Sequence, residues 1–290
     1  MNNSLYRKKR RPGDAALKFF IYGSAAVTVV VLAGILAYIL VNGLGYITWD
    51  FISRPYSQLR SSPDKGLLPM IINTLYVVGI TLLIAVPIGI CTAVYLTQYA
   101  KQGRLVGAIR FATDTLAGIP SILFALFGLS IFVSGFGLGY SLLSGCLTMA
   151  ICILPTVVRT TEEALLTVPS SYKEGALALG AGRLRIIWGI VLPCAVPGIL
   201  TAVILAIGRI VGESAVFLFT AGTGYSMPKD FFGHILASGR TLTVHLYIMA
   251  NDGTAANALN IAFATAAVLL VLVFLLNCLS RLTARKLRKS

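Results

Sequence analysis

The 290-residue chain is 57% apolar and only 12% charged, carries a net charge of +14 and has a mean hydropathy of +0.86. Soluble domains devote about a quarter of their residues to charges, so this balance excludes an ordinary soluble domain and predicts a polytopic membrane protein. The basic excess is spread between apolar runs rather than gathered on one soluble face, which argues against a nucleic-acid partner.

A basic segment, residues 1–18, leads into the first of six charge-poor runs, at about 19–41, 70–97, 111–133, 136–158, 193–222 and 259–280. Each is long enough for the roughly 20 residues that a bilayer core requires, and no barrel-like alternation is present. The expectation is an all-α membrane protein with six transmembrane helices. The first run is longer than a signal-peptide apolar region and lacks a clear A-x-A site, so it reads as a retained span.

Lys and Arg are retained on the cytoplasmic side of short loops. Placing the N-terminus inside puts Arg7 to Arg11 and Lys18, then Lys101, Arg104 and Arg110, then Arg159, Lys173, Arg183 and Arg185, and finally the basic tail 281–290, in the cytoplasm. Only Arg54, Arg60, Lys65, Lys229 and Arg240 fall outside, and Arg209 remains within a span. Both termini are therefore expected in the cytoplasm.

Residues 19–66 comprise the first span and an outside loop with no catalytic pattern. In the third run the cluster Gly118-Ile119-Pro120-Ser121 must interrupt helix bonding, because Pro120 lacks an N–H and restricts its predecessor; it reads as a kink or as a hinge lining a pathway. Asp114, one turn earlier, is expected near the inner surface.

The segment RTTEEALLTVPSSYKEGALALGAGRLRIIWGIVLP forms an unusually long inside loop. From Pro169 its pattern is helical, with Ser170 or Ser171 available as an N-cap and Glu174 following. Ala176, Leu177, Leu179 and Gly180 then make a small apolar patch, suited to a bilayer interface or to a groove in another protein.

In the fifth run, Arg209 and Glu213 stand four residues apart, on one face if the helix is continuous, where they are expected to pair. A buried arginine costs at least about 2.5–3.5 kcal/mol in insertion assays, so it should face a bundle or an aqueous cavity. Its planar donors suit a tetrahedral oxyanion. Gly212 is read as space between helices. Arg159 with Glu162 and Glu163 forms a second charged set at the inner end of the fourth run.

Five cysteines without CxxC spacing predict neither a disulfide framework nor a zinc site, and His234 and His245 read as structural. No G-x-x-x-x-G-K-[ST] sequence occurs, so nothing here reads as an ATP-hydrolysing P-loop, and no nucleophile–base set suggests an enzyme.

The spacing Glu174-Gly175-Ala176, Gly180, Ile190, Leu192-Pro193 resembles the EAA loop of ABC importer permeases, E-A-A-x3-G-x9-I-x-L-P, departing from it only at Gly175. The strings LAGIPSILFALFG, LPTVVRTTEEALLTVP and RIVGESAVF further resemble phosphate-specific importer permeases of the PstA type, over roughly residues 67–280. Near the fifth run the family pattern is approximately R-x-x-G-E-T-A-P-L; Val216 stands where it has proline, which puts the local bend in doubt.

The resemblance implies a type I importer permease of the inner membrane. Its short cytoplasmic coupling helix would enter a cleft of a separate ATPase subunit, and Arg209, Glu213, Arg159 and Glu162 would serve phosphate passage. It further implies a second permease of the PstC type, two PstB-type ATPases holding ATP and Mg, a PstS-type phosphate-binding protein outside and surrounding lipid, with no cofactor on this chain. Another oxyanion, sulfate or molybdate, remains an alternative cargo. An ion-gradient carrier is the alternative class; it would normally show an inverted repeat and has no need of the Glu174–Pro193 loop.

Overall fold

In the computed structural model, residues 12–56, 66–101, 103–225, 227, 230–251 and 257–287 are described. The basic residues Arg7 to Arg11, Arg60, Lys65, Lys229, Arg288 and Lys289 lie outside the described residues, as do parts of the outside loop between Thr223 and Asn257.

The described chain is helical throughout. Helix α1 spans Pro12–Leu44, the short α2 spans Trp49–Ser53, and α3 spans Leu68–Val94 and continues as a π-helical turn to Tyr99. Helices α4 (Arg104–Ala117) and α5 (Ser121–Gly128, with a π-helical extension to Gly135) follow, then α6 (Leu142–Leu166). Among the described residues, five helices are long and apolar enough to cross a membrane, six spans if α4 and α5 are counted as one broken span.

The third predicted run, 111–133, is not one helix. Its two halves meet at 100° across Gly118–Pro120. Pro120 has extended backbone (φ −58°, ψ 139°), and the residue before a proline is pushed from the α region, so the helix stops and restarts. A break this sharp exceeds an ordinary proline kink.

The short α7 (Ser170–Ala178) and α8 (Arg183–Ile186) precede a π-helical turn, Ile187–Val191, that runs directly into α9 (Leu192–Gly212). Pro193 cannot donate to the carbonyl four residues back, and its ring would crowd that carbonyl; the wider π turn just before it makes room. The fifth predicted run, 193–222, is also divided. It stops at Gly212 and resumes as α10 (Ala215–Thr220). Helices α11 (Phe231–Ile235), α12 (Leu242–Asn251) and α13 (Ala258–Leu287) complete the chain.

Helix α6 is the central element and packs on both α3 and α9. Met149, Ile153 and Val157 of α6 are buried with Val77 and Ala85 of α3, Ala206 and Ile210 of α9, and Phe217 of α10. Small residues permit this close approach, which drives helix association where lipid offers no hydrophobic incentive. A Cβ on Gly128 would collide with the Thr148 side chain, and one on Gly198 with Ala164. Gly212, by contrast, borders open space and is exposed, so the close packing expected there occurs elsewhere.

Candidate functional site

Arg209 sits in the last turn of α9, half-buried against α6. Its Nη1 donates to Thr156 Oγ1 at 3.2 Å and its Nη2 to Cys152 Sγ at 3.5 Å. Among the described residues no carboxylate lies within ion-pair distance of it. The expected pair with Glu213 is therefore corrected: Glu213 lies beyond the helix end, with extended backbone at φ −84° and ψ 123°. Its Oε1 accepts from the backbone N–H groups of Ala215 and Val216, at 3.1 and 3.4 Å. The first amides of a helix have no intrahelical acceptor, so the carboxylate is drawn to α10 rather than back along α9. The break forms although Val216 stands in place of a proline.

Arg209 and Glu213 thus stand on either side of the break between α9 and α10, Arg209 against α6 and Glu213 on the first amides of α10. Cys152 and Thr156 were missed in the sequence. They lie one helical turn apart on α6, but only folding reveals that this face meets Arg209.

The second charged set is rearranged too. Arg159 does not pair with Glu162; it donates to Asp114 of α4 at 3.0 Å and lies 3.4 Å from Glu163. Glu162 instead accepts from Arg110 of α4, whose Nε is 2.9 Å away. Arg110 and Asp114 are one turn apart on α4, as Arg159 and Glu163 are on α6, so two complementary faces meet. These residues line a cleft of about 190 Å³ together with Thr113. Arg110 had been read only as a topological marker. The opposite charges four residues apart on α4 were the available signal, but the partner helix was not.

The loop between α6 and α9 carries the expected short helix, with one correction. Helix α7 covers Ser170–Ala178, but its N-cap is Pro169 and no side chain caps it; neither Ser170 nor Ser171 fills that role. Gly180 adopts φ +81°, a left-handed conformation favouring glycine, and closes the helix as Gly180 N–H donates to Leu177 O and Ala181 N–H to Ala176 O. Ala176 packs inward, on a cluster that includes Leu165, Ile186 and Val191. Glu174, Gly175, Leu177 and Leu179 face outward, and Leu179 is 90% exposed. Ile190 lies in the π turn, and Leu192 and Pro193 open α9.

At the opposite end, Asn73 joins α3 to the outside segment: its Nδ2 donates to Arg240 O at 3.1 Å and its Oδ1 pairs with His234 Nε2 at 2.6 Å. Arg240 is buried near the rings of Tyr56 and Tyr225, at 5.4 and 5.5 Å, and donates to Thr223 O. Burial holds the His234 imidazole below its ordinary range, against a smaller upward pull from Asp230. His245 is also buried, beside Arg240. Both histidines are thus occupied in packing and hydrogen bonding within this segment.

Residues 85–289, more than half of the chain, match the family described as binding-protein-dependent transport system inner membrane component. The chain belongs to that family. It is thus a multi-pass inner-membrane permease component of an ABC importer, associates with ATPase subunits and a binding protein, and is neither catalytic nor cofactor-binding itself. It is 34% identical over 268 residues to a probable ABC transporter permease protein YqgI of Bacillus subtilis, covering 89% of this chain and 90% of that one. It is 34% identical over 263 residues to the phosphate transport system permease protein PstA of Haemophilus influenzae, covering 90% of each. A bacterial alginate ABC transporter, at 17% identity, superposes with a TM-score of 0.68 over 97% of this chain and 99% of that one. That likeness concerns the fold alone.

Proposed function

We propose that this permease component carries inorganic phosphate inward, with Arg209 as the fixed anion contact. The observation that carries the reading is a guanidinium in a membrane span held, among the described residues, only by the neutral Thr156 and Cys152. A cation without a carboxylate partner in an apolar surrounding is costly, and a transient anion offsets that cost. The phosphate permeases among the relatives support the choice of oxyanion.

Glu213 adds a reason to favour phosphate over sulfate. Among the described residues its Oε2 has no hydrogen-bond partner, while Oε1 is taken by two amides. A carboxylate oxygen accepts the proton that hydrogen phosphate retains at neutral pH, and sulfate has none to give. A site built around such a bond rejects the analogue lacking it. Glu213 therefore serves as acceptor and counter-charge, limiting how tightly the anion is held.

In this reading Arg159 and Glu162 act at the inner end of the path, each held by α4. Residues 67–280 form the permease core, and a PstC-type permease, two PstB-type ATPases and a PstS-type binding protein complete the importer. ATPase closure is transmitted through Glu174, Gly175 and Ala176 on α7 and through the Gly180 turn. Ile190, Leu192 and Pro193 connect that movement to α9, and hence to Arg209.

The test is Arg209→Gln in the assembled importer. Labelled-phosphate uptake should be abolished while membrane insertion and copurification with the partner subunits persist. Normal uptake by the variant defeats the role of Arg209, and uptake of sulfate rather than phosphate by the unmodified importer defeats the cargo.

A further inference from the structure

The site around Arg209 contains a second polar group that no charge pattern marks. Thr156 is half-buried on the face of α6 that meets α9, and its Oγ1 accepts from Arg209 Nη1 at 3.2 Å. A hydroxyl has one proton and two lone pairs. Threonines within helices commonly give that proton to the carbonyl four residues back, and Thr74, Thr148, Thr220 and Thr265 all do so, at 2.6–2.7 Å. Thr156 does not: among the described residues its only hydrogen bond is the one it accepts from Arg209.

The arrangement has a polarity. Arg209 points N–H groups at Thr156, so the hydroxyl proton is turned away from the guanidinium. A neighbouring cation also polarises the O–H group, making its proton a better donor to a negative oxygen. Cys152, one turn back, accepts from the other guanidinium nitrogen at 3.5 Å and fixes the guanidinium plane from the same helix. Arg209 on α9 and Thr156 on α6 thus bring donors from two helices side by side, 3.2 Å apart.

We infer that Thr156 is a substrate-binding residue of this permease, donating its hydroxyl proton to an oxygen of the oxyanion that Arg209 holds. The inference rests on the phosphate reading above and deepens it, because it makes binding depend on α6 and α9 being in register. An anion bridging the two helices is held while they stay together and released when they shift. Thr156 is therefore placed to tie occupancy to the helix movement that α7 starts.

The test uses the complete importer in proteoliposomes with its binding protein, reading phosphate uptake and ATP hydrolysis together. Thr156→Val keeps the shape and removes the hydroxyl; Thr156→Ala is a second hydroxyl-free variant, and Thr156→Ser restores the donor. Because the external binding protein captures the substrate, the half-saturating phosphate concentration should stay unchanged. The phosphate moved per ATP should fall about tenfold in the Val and Ala variants, the scale of losing one hydrogen bond to a charged group, and recover in the Ser variant. A purely structural role would lower uptake and hydrolysis in parallel and leave their ratio alone. An unchanged ratio in the hydroxyl-free variants, or an equal loss in the Ser variant, overturns the role of Thr156. If wild-type importer moves phosphate and Arg209→Gln does not, while Thr156→Val matches wild type, this inference alone fails; absence of phosphate uptake by wild type removes the underlying reading.

Discussion

Two ion pairs join the same helices, α4 and α6, yet they should contribute unequally. Glu162 is 13% exposed and Arg110 is 37% exposed, whereas Arg159 and Asp114 are 62% and 61% exposed. At an effective dielectric of about 20, unit charges 4 Å apart attract by about 4 kcal/mol, and desolvation offsets much of this. A net coupling of about 1–2 kcal/mol is expected for the sheltered pair, against about 0.2–1 kcal/mol for the open one. The remaining anchor of α4 on this face is a small cluster of Val106, Leu96 and Val158, so ion-pair strength should show directly in how often α4 lifts away. Double-mutant cycles with alanine at Arg110 and Glu162, and at Asp114 and Arg159, measure each coupling. The readout is amide hydrogen exchange across residues 104–117 in the purified complex, which reports local opening. About tenfold coupling is expected for the first cycle and at most about fivefold for the second, since 1.4 kcal/mol is a factor of ten. Equal couplings, or a larger one for Asp114–Arg159, would refute the reasoning from burial.

Two glycines in the loop between α6 and α9, proposed to couple to the ATPase, should behave oppositely. Gly180→Ala must place a side chain at φ +81° and should cost about 1–2 kcal/mol of local stability, weakening ATP-driven uptake; Gly175→Ala faces open space within α7 and should add about 0.5–1 kcal/mol. Thermal denaturation of the complex together with its uptake checks both signs. At the outer end, burial depresses the folded-state pKa of His234 below its ordinary 6.5, so the unfolded or opened segment binds more protons near and below that value. The grip of the 230–245 segment on Asn73 should therefore be full above pH 6.5 and lost as pH falls through 6.5 toward the folded value. Hydrogen exchange over 233–245, corrected for the intrinsic rate, should accelerate on acidification, and His234→Gln should remove that dependence.

The membrane class, the helical fold and the short helix after Pro169 were legible in the sequence, because each rests on local properties. Apolar run length, the cytoplasmic bias of Lys and Arg, and a fixed spacing ending in Gly180 and Pro193 need no knowledge of neighbours. Gly180 shows this best: its left-handed turn is a backbone requirement that the residue type announces. The break at Gly118–Pro120 was legible in the Gly-Ile-Pro-Ser cluster rather than in proline alone, since Pro87, Pro155 and Pro197 lie inside α3, α6 and α9, but its 100° angle was not.

Partner choice was decided only by tertiary structure. Spacing along one helix suggested Arg209 with Glu213, which do not pair, and Arg159 with Glu162 and Glu163, of which only Glu163 lies within reach. Glu213 is drawn to the free amides of α10 because α9 ends at Gly212, and Glu162 and Arg159 turn to Arg110 and Asp114 because α4 lies across α6. Periodicity states which face a side chain occupies, whereas a charge in an apolar surrounding takes whichever counter-group the opposing element brings nearest. Arg209, left by that competition with a hydroxyl and a thiol, is the charge that the sequence could locate but whose partners only the packing of α6 on α9 supplied.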